Sequence, residues 1–346
     1  MKRRQFSKII PSVVVGGTFL TNQSTFGRKK KTIKPKRLKK GDTVGLITPG
    51  SYIEDEGLQK AVTNLEGLGF QVKLAKNIRA ERGFIAGTDT QRLADLHSMF
   101  ADKQVAGIWC ARGGYGSGRL LPMLDYRLIK KNPKVVVGFS DITALLQGIY
   151  KETGLIGFHG PVGSSDFTEY TVDYLTKVLI EPKEQLKVAL SKENASLAKT
   201  NKVYQTATIR GGTATGKLVG GNLSLLAPLA GTKYQPNING KLLFIEEIGE
   251  SPYRIDRMLT QLRQSYPLKA AAGIILGVFR GCEMKEGGRS LSLMYTLKDR
   301  LGDLNIPVFY GAAIGHIGDN LTLPIGGKAR FNADSGVITL LEKGVI

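Results

Sequence analysis

Val105-Ala106-Gly107-Ile108-Trp109-Cys110 runs through Ala111 into Arg112-Gly113-Gly114-Tyr115-Gly116-Ser117-Gly118-Arg119. The first six residues are a short apolar run, the pattern of a strand buried on both faces. The glycine-rich octet that follows reads as a tight turn, and Ser117–Leu124 as the next helix. Working outward, the same alternation repeats. Thr43-Val44-Gly45-Leu46-Ile47 is an apolar run that ends in the turn residues Thr48-Pro49-Gly50-Ser51. Residues 57–68 have helical spacing, Phe70–Leu74 alternates like a strand, and Asp89–Met99 is helical again. Val135-Val136-Val137-Gly138-Phe139 is a further strand. Strand and helix alternating through short loops predict an α/β fold with a doubly wound parallel sheet over 42–166. Ligands of such sheets collect at the carboxyl ends of the strands.

The polar, Lys-rich stretch 167–202 reads as a connection. A second, smaller domain of mixed α and β is expected over 203–346. Its strands are read at Leu242–Glu246, Gly273–Val278, Val308–Tyr310 and Val337–Leu341, and a helix at Ile255–Gln264. The 346 residues are 42% hydrophobic, enough to bury a core in each domain and to exclude global disorder.

The net charge of +20 is unevenly spread. Residues 1–41 hold 13 of the 49 Lys and Arg and no acidic residue, which leaves 36 basic against 29 acidic residues in the body, or +7. A mildly basic body suits an anionic substrate or cell envelope, and nucleic acid is not an expected partner. Arg3-Arg4, followed by Phe6, Lys8 and the apolar Ile9–Leu20, resembles a twin-arginine export signal. Residues 1–27 are therefore expected to direct the chain to the periplasm or cell envelope, and 28–41 to be a basic linker. An uncleaved leader would be the protein's contact with a membrane. Cys110 and Cys282 are expected to be buried free thiols. With three histidines and no close His/Cys grouping, a structural zinc site is not expected. The sequence leaves a homodimer open.

Three segments carry candidate chemistry. Ser117 follows a strand and sits among glycines, as a nucleophile on a sharp turn would. The competing reading is an anion-binding glycine loop in which Ser117 caps the helix. Glu246 ends an apolar strand, where a carboxylate needs a partner, whereas Glu247 and Glu250 suit helix capping. His316 lies in the glycine-bounded Gly315-His316-Ile317-Gly318-Asp319-Asn320. His159, in Gly157-Phe158-His159-Gly160-Pro161, competes with it, and His97 falls within a helix. Serine, glutamate and histidine in that order would supply a nucleophile, an orienting carboxylate and a general base.

Several segments together resemble the LD-carboxypeptidase family of serine peptidases. They are Thr48–Ser51, Ala86–Asp89, Arg112–Ser117, Gly138-Phe139-Ser140-Asp141-Ile142-Thr143-Ala144-Leu145, Gly157–Pro161, Gly220–Leu223, Glu246–Arg257 and Gly315–Pro324. The resemblance implies a flavodoxin-like or Rossmann-like N-terminal domain and a small β-rich C-terminal one. It implies a catalytic triad carried by Ser117, Glu246 and His316, and an oxyanion hole of backbone amides, for which Gly118 and Gly87 are the candidates. It implies no metal and no organic cofactor. The substrate it implies is a murein peptide, cleaved at the bond from the L-centre of a diamino acid to a terminal D-alanine. A related branch hydrolyses microcin-type peptide antibiotics and tends to carry Asn before the nucleophilic serine. Gly116 in that place favours the cell-wall branch. Arg112 or Arg119 could supply the donors that hold a terminal carboxylate. The alternatives are a non-catalytic murein-peptide binding protein and a nucleotide-binding oxidoreductase. The latter would need a phosphate fingerprint that the chain lacks.

Overall fold

The computed structural model describes residues 31–284 and 287–346. The twin-arginine-like leader at 1–27 and residues 28–30 of the basic linker lie outside the described residues. From Lys31 onward the chain forms one compact unit.

In the N-terminal half, strands and helices alternate as β1 (Thr43–Ile47), α1 (Asp55–Gly67), β2 (Gln71–Leu74), α2 (Asp89–Ala101) and β3 (Val105–Cys110). After β3 comes a 3-10 helix, Ser117–Met123, with Pro122 inside it. Then follow α3 (Tyr126–Lys131), β4 (Val135–Gly138), α4 (Ile142–Thr153) and β5 (Phe158–His159). These five strands pair in parallel in the order β5-β4-β3-β1-β2, the sheet expected from the alternation.

The second half holds α5 (Glu169–Leu175), β6 (Leu186–Lys187), α6 (Lys192–Leu197), β7 (Ala207–Arg210), β8 (Thr213–Asn222), α7 (Leu223–Leu229) and β9 (Leu242–Ile248). It continues with α8 (Pro252–Ser265), β10 (Gly273–Arg280), α9 (Leu293–Leu301), β11 (Val308–Ala312), β12 (Leu323–Pro324), β13 (Lys328–Asn332) and β14 (Val337–Leu340). Eight of these strands make a second sheet, ordered β6-β14-β13-β8-β9-β10-β11-β7. Its centre, β8 to β11, is parallel and its flanks are antiparallel.

Two sequence readings change. The stretch 167–202 is more than a connection, because β6 adds a strand to the second sheet beside β14. Residues 31–40 are part of the body. Ile33 bridges to Leu155, Leu38 is fully buried, and the Arg37 amide donates to the Ile346 carbonyl at 2.8 Å. Charge alone hid the apolar Ile33 and Leu38 between the lysines. No helix among the described residues is long and apolar enough to cross a membrane.

Two features bring the sheets together around one site. Helix α4 is almost wholly buried, and it packs against β8. Gln147 Nε2 donates to the Gly220 carbonyl at 2.6 Å, and the Asn222 amide donates to Thr143 Oγ1 at 3.0 Å. Gly221 permits this approach, since a Cβ there would lie 2.4 Å from Thr143 Oγ1. The chain then leaves the second sheet after β11, loops through 313–322, and pairs β12 antiparallel with β5 of the first sheet. That loop carries His316.

Candidate active site

Glu246 sits on β9 with 0% exposure. A carboxylate so buried needs a partner. His316 provides it, with Nδ1 2.8 Å from Glu246 Oε2. In the tautomer with the proton on Nδ1, the imidazole donates to this carboxylate and keeps the Nε2 lone pair that a general base needs. The loop is shaped for this pairing. Gly315 has φ of +110°, and its amide donates to Asn320 Oδ1 at 3.1 Å. A Cβ on Gly315 would lie 2.6 Å from Glu246 Oε2, so the pair requires glycine there. The Phe139 ring packs on the imidazole with centroids 4.7 Å apart.

Phe139 leads to the other half of the site. Strand β4 ends at Gly138, α4 begins at Ile142, and Ser140 between them has φ of +61°. A non-glycine residue in this region costs roughly 1–3 kcal/mol and persists where surrounding contacts impose it. A strand turning sharply into a helix through a strained serine is the geometry that presents a nucleophile. Ser140 lines an open cleft of about 480 Å³ together with His316, Phe139, Arg112, Gly113 and Gly114. A Cβ on Gly113 would lie 3.2 Å from Ser140 Oγ and 3.4 Å from the Asp141 amide nitrogen. Glycine at 113 thus lets its loop approach the Ser140 turn closely, since that Cβ would also lie only 2.9 Å from Ser140 Cβ.

The two halves of the chain match the LD-carboxypeptidase N-terminal domain over residues 44–160 and the LD-carboxypeptidase C-terminal domain over 215–331. The chain belongs to the LD-carboxypeptidase family. It is 42% identical to a probable murein peptide carboxypeptidase of Bacillus subtilis, over 90% of this chain and 95% of the relative. It is 34% identical to the murein tetrapeptide carboxypeptidase of Pseudomonas aeruginosa, over 83% and 92%. The crystal structure of an MccF-like protein from Bacillus anthracis superposes with a TM-score of 0.79 at 33% identity, covering 90% of this chain and 99% of that one. Family membership makes the chain a serine-type peptide hydrolase with an α/β, two-domain fold.

The serine expected to serve this LD-carboxypeptidase is placed elsewhere. Ser117 has 0% exposure and does not line the cleft. Its hydroxyl donates to the Asp141 carbonyl at 2.5 Å, and its amide donates to Asp141 Oδ2 at 2.8 Å. The Gly116 amide donates to Asp141 Oδ1 at 3.1 Å. Ser117 is therefore a tie between the glycine loop and the Ser140 turn. It is not the helix cap either, because Gly116 holds that position. Burial pushes the Asp141 carboxyl up, and these hydrogen bonds act in the opposite direction.

The two oxyanion candidates also change. The Gly87 amide donates to the Ile85 carbonyl at 3.0 Å, ahead of the Thr88 cap of α2. Gly118 belongs to the 3-10 helix, and neither glycine lines the cleft. His159 is buried between Phe139 and Phe244, and neither ring nitrogen has a partner among the described residues. Burial lowers its pKa to about 4, so it is neutral and walled off. His97 accepts from the Asp125 amide at 3.0 Å. Glu247 accepts from the Ser224 amide at 2.8 Å, so it serves the start of α7 and not α8, whereas Glu250 pairs with Arg254 at the start of α8. The missed signal was Gly138-Phe139-Ser140, the first half of a G-x-S-x-G elbow at the end of an all-apolar strand.

Proposed function

We propose that this enzyme hydrolyses the amide bond to a C-terminal D-amino acid of murein tetrapeptides, with Ser140 as nucleophile, His316 as base and Glu246 as orienting acid. The observation that carries this reading is the Glu246–His316 pair opening on the same cleft as a serine held at φ of +61°. Nε2 of His316 takes the Ser140 hydroxyl proton as Oγ attacks the carbonyl carbon of the diamino acid. The developing oxyanion enters the space beside Gly113, where the Asp141 amide can donate to it. The imidazolium, stabilised by Glu246, returns the proton to the leaving amine of D-alanine. Water then attacks the acyl-enzyme by the same route.

The names of the relatives support a murein peptide as substrate, and the export-like leader supports action in the cell envelope. The microcin-type alternative draws on the similarity to the MccF-like structure. The argument against it from Gly116 lapses once the nucleophile is Ser140. Purified enzyme is to be incubated with tripeptide, tetrapeptide and pentapeptide murein stems and the products weighed by mass spectrometry. The expected result is one D-alanine released from the tetrapeptide and nothing from the tripeptide. An inert tetrapeptide together with cleavage of an aminoacyl-sulfamoyl nucleoside would establish the alternative.

A further inference from the structure

Arg92, Arg112 and Arg119 all lie on or beside the loops that shape the cleft, and they differ in what neutralises them. Arg92 is buried against Asp89 and also donates to the Pro49 and Gly116 carbonyls. Arg119 forms a two-pronged pair with the same carboxylate, at 3.0 Å and 2.9 Å. Both are committed to holding loops together. Arg112 makes one hydrogen bond, from Nη1 to the Tyr52 carbonyl at 2.9 Å, and has no carboxylate partner among the described residues. It lines the cleft. The tether to Tyr52 fixes the head group and leaves Nη2 and Nε unused, a planar edge suited to a carboxylate.

The position of Arg112 fits what a terminal carboxylate needs. In a peptide bound for release of its last residue, that carboxylate is two bonds from the scissile nitrogen. It must lie within one residue's reach of the nucleophile. Arg112 is bonded to Gly113, where a Cβ would lie 3.2 Å from Ser140 Oγ, so the arginine is one residue from the nucleophile's neighbour. The cleft also holds one acidic side chain, Glu54, at the start of α1. Glu54 repels a carboxylate placed on its side and attracts the free ammonium of a diamino acid.

We propose that Arg112 reads the free C-terminal carboxylate and so restricts this site to peptides with an unblocked end, with Glu54 opposing carboxylates elsewhere in the cleft. This rests on the murein-peptide reading above. The test compares a murein tetrapeptide ending in D-alanine with the same peptide ending in D-alanine amide, using wild type, Arg112→Gln and Arg112→Lys. Wild type is expected to favour the free acid by about a hundredfold in kcat/KM, the scale of a two-pronged charged contact. Arg112→Gln should lose most of that preference through a higher KM for the acid, with the amide cleaved as before. Arg112→Lys should fall between, because it keeps the charge and loses the fork. Damage to the fold would lower both substrates together and would show as a lower Tm. An active Arg112→Gln that still prefers the acid would overturn the proposal and leave the assigned function standing. A wild type inert toward both peptides would overturn the function and the proposal with it.

Discussion

Two turns in the first sheet have nearly the same ingredients. After β3 comes Arg112–Arg119, and after β4 comes Phe139–Asp141; each leads from a buried parallel strand toward a helix and each carries a serine. The first is rich in glycine, and its serine relaxes into a fully buried 3-10 turn, bonded through both hydroxyl and amide. The second has no glycine between strand and helix, and its serine is held at φ of +61° with its side chain at the cleft. Glycine relieves strain, so a glycine-rich turn has little reason to force a serine outward. A turn without glycine stores strain in the one residue that must present its side chain. Asp141 joins the two: its carboxylate and carbonyl tie down the first turn, and it directly follows the serine of the second.

The comparison can be broken most directly at its two serines. Ser140→Ala is expected to lower kcat by on the order of 10⁴-fold or more with the fold intact, measured as D-alanine release and by circular dichroism. Retained turnover would remove Ser140 from the nucleophile's role. Next in size is Gly113→Ala. Its methyl would press on Ser140 at 2.9 Å from Cβ and 3.2 Å from Oγ, displacing the turn, and kcat should fall by roughly 10²-fold together with a lower Tm. An unaffected kcat would mean that the oxyanion does not use the space beside Gly113.

His159 sharpens the picture through pH. Its folded pKa is lowered to about 4 from 6.5 by full burial. Below pH 6.5 the unfolded chain takes up a proton that the folded chain refuses, so stability falls as pH drops through this window and the loss is complete near pH 4. The size is on the order of 3 kcal/mol. Denaturant titrations at several pH values should show that slope, and His159→Phe should flatten its share of it. An unchanged slope in that variant would mean that the buried imidazole is not its source. The smallest effect belongs to Ser117→Ala, which should cost about 1 kcal/mol of stability through the lost bond to the Asp141 carbonyl and leave kcat within tenfold. Loss of activity there comparable to Ser140→Ala would reverse the comparison.

Much of the fold was legible because its signals are local. A buried parallel strand is an apolar run whatever it pairs with, and β1, β3, β4, β9 and β10 lie where the apolar runs lie. Glu246 stood out as a carboxylate ending an apolar strand, whereas His159 and His316 both sit between glycines, and only the resemblance singled out His316. Ser140 was passed over because Phe-Ser-Asp-Ile looks like an ordinary helix start and Gly138-x-Ser140 is only half of the elbow signature. Arg112 and Arg119 looked equivalent because nothing local says which of them meets Asp89.

By itself, the sequence determined the parallel α/β sheet, since a buried strand is an apolar run within a few neighbouring residues, and through its resemblance it pointed to the family and to Glu246 and His316 as candidates. Only the tertiary structure decided which serine meets the cleft, which of the loop arginines has a carboxylate partner among the described residues, and that residues 31–40 pack into the body. Those outcomes depend on burial and on hydrogen bonds between segments tens to hundreds of residues apart, such as the one from Arg37 to Ile346, and no short window of sequence contains both partners.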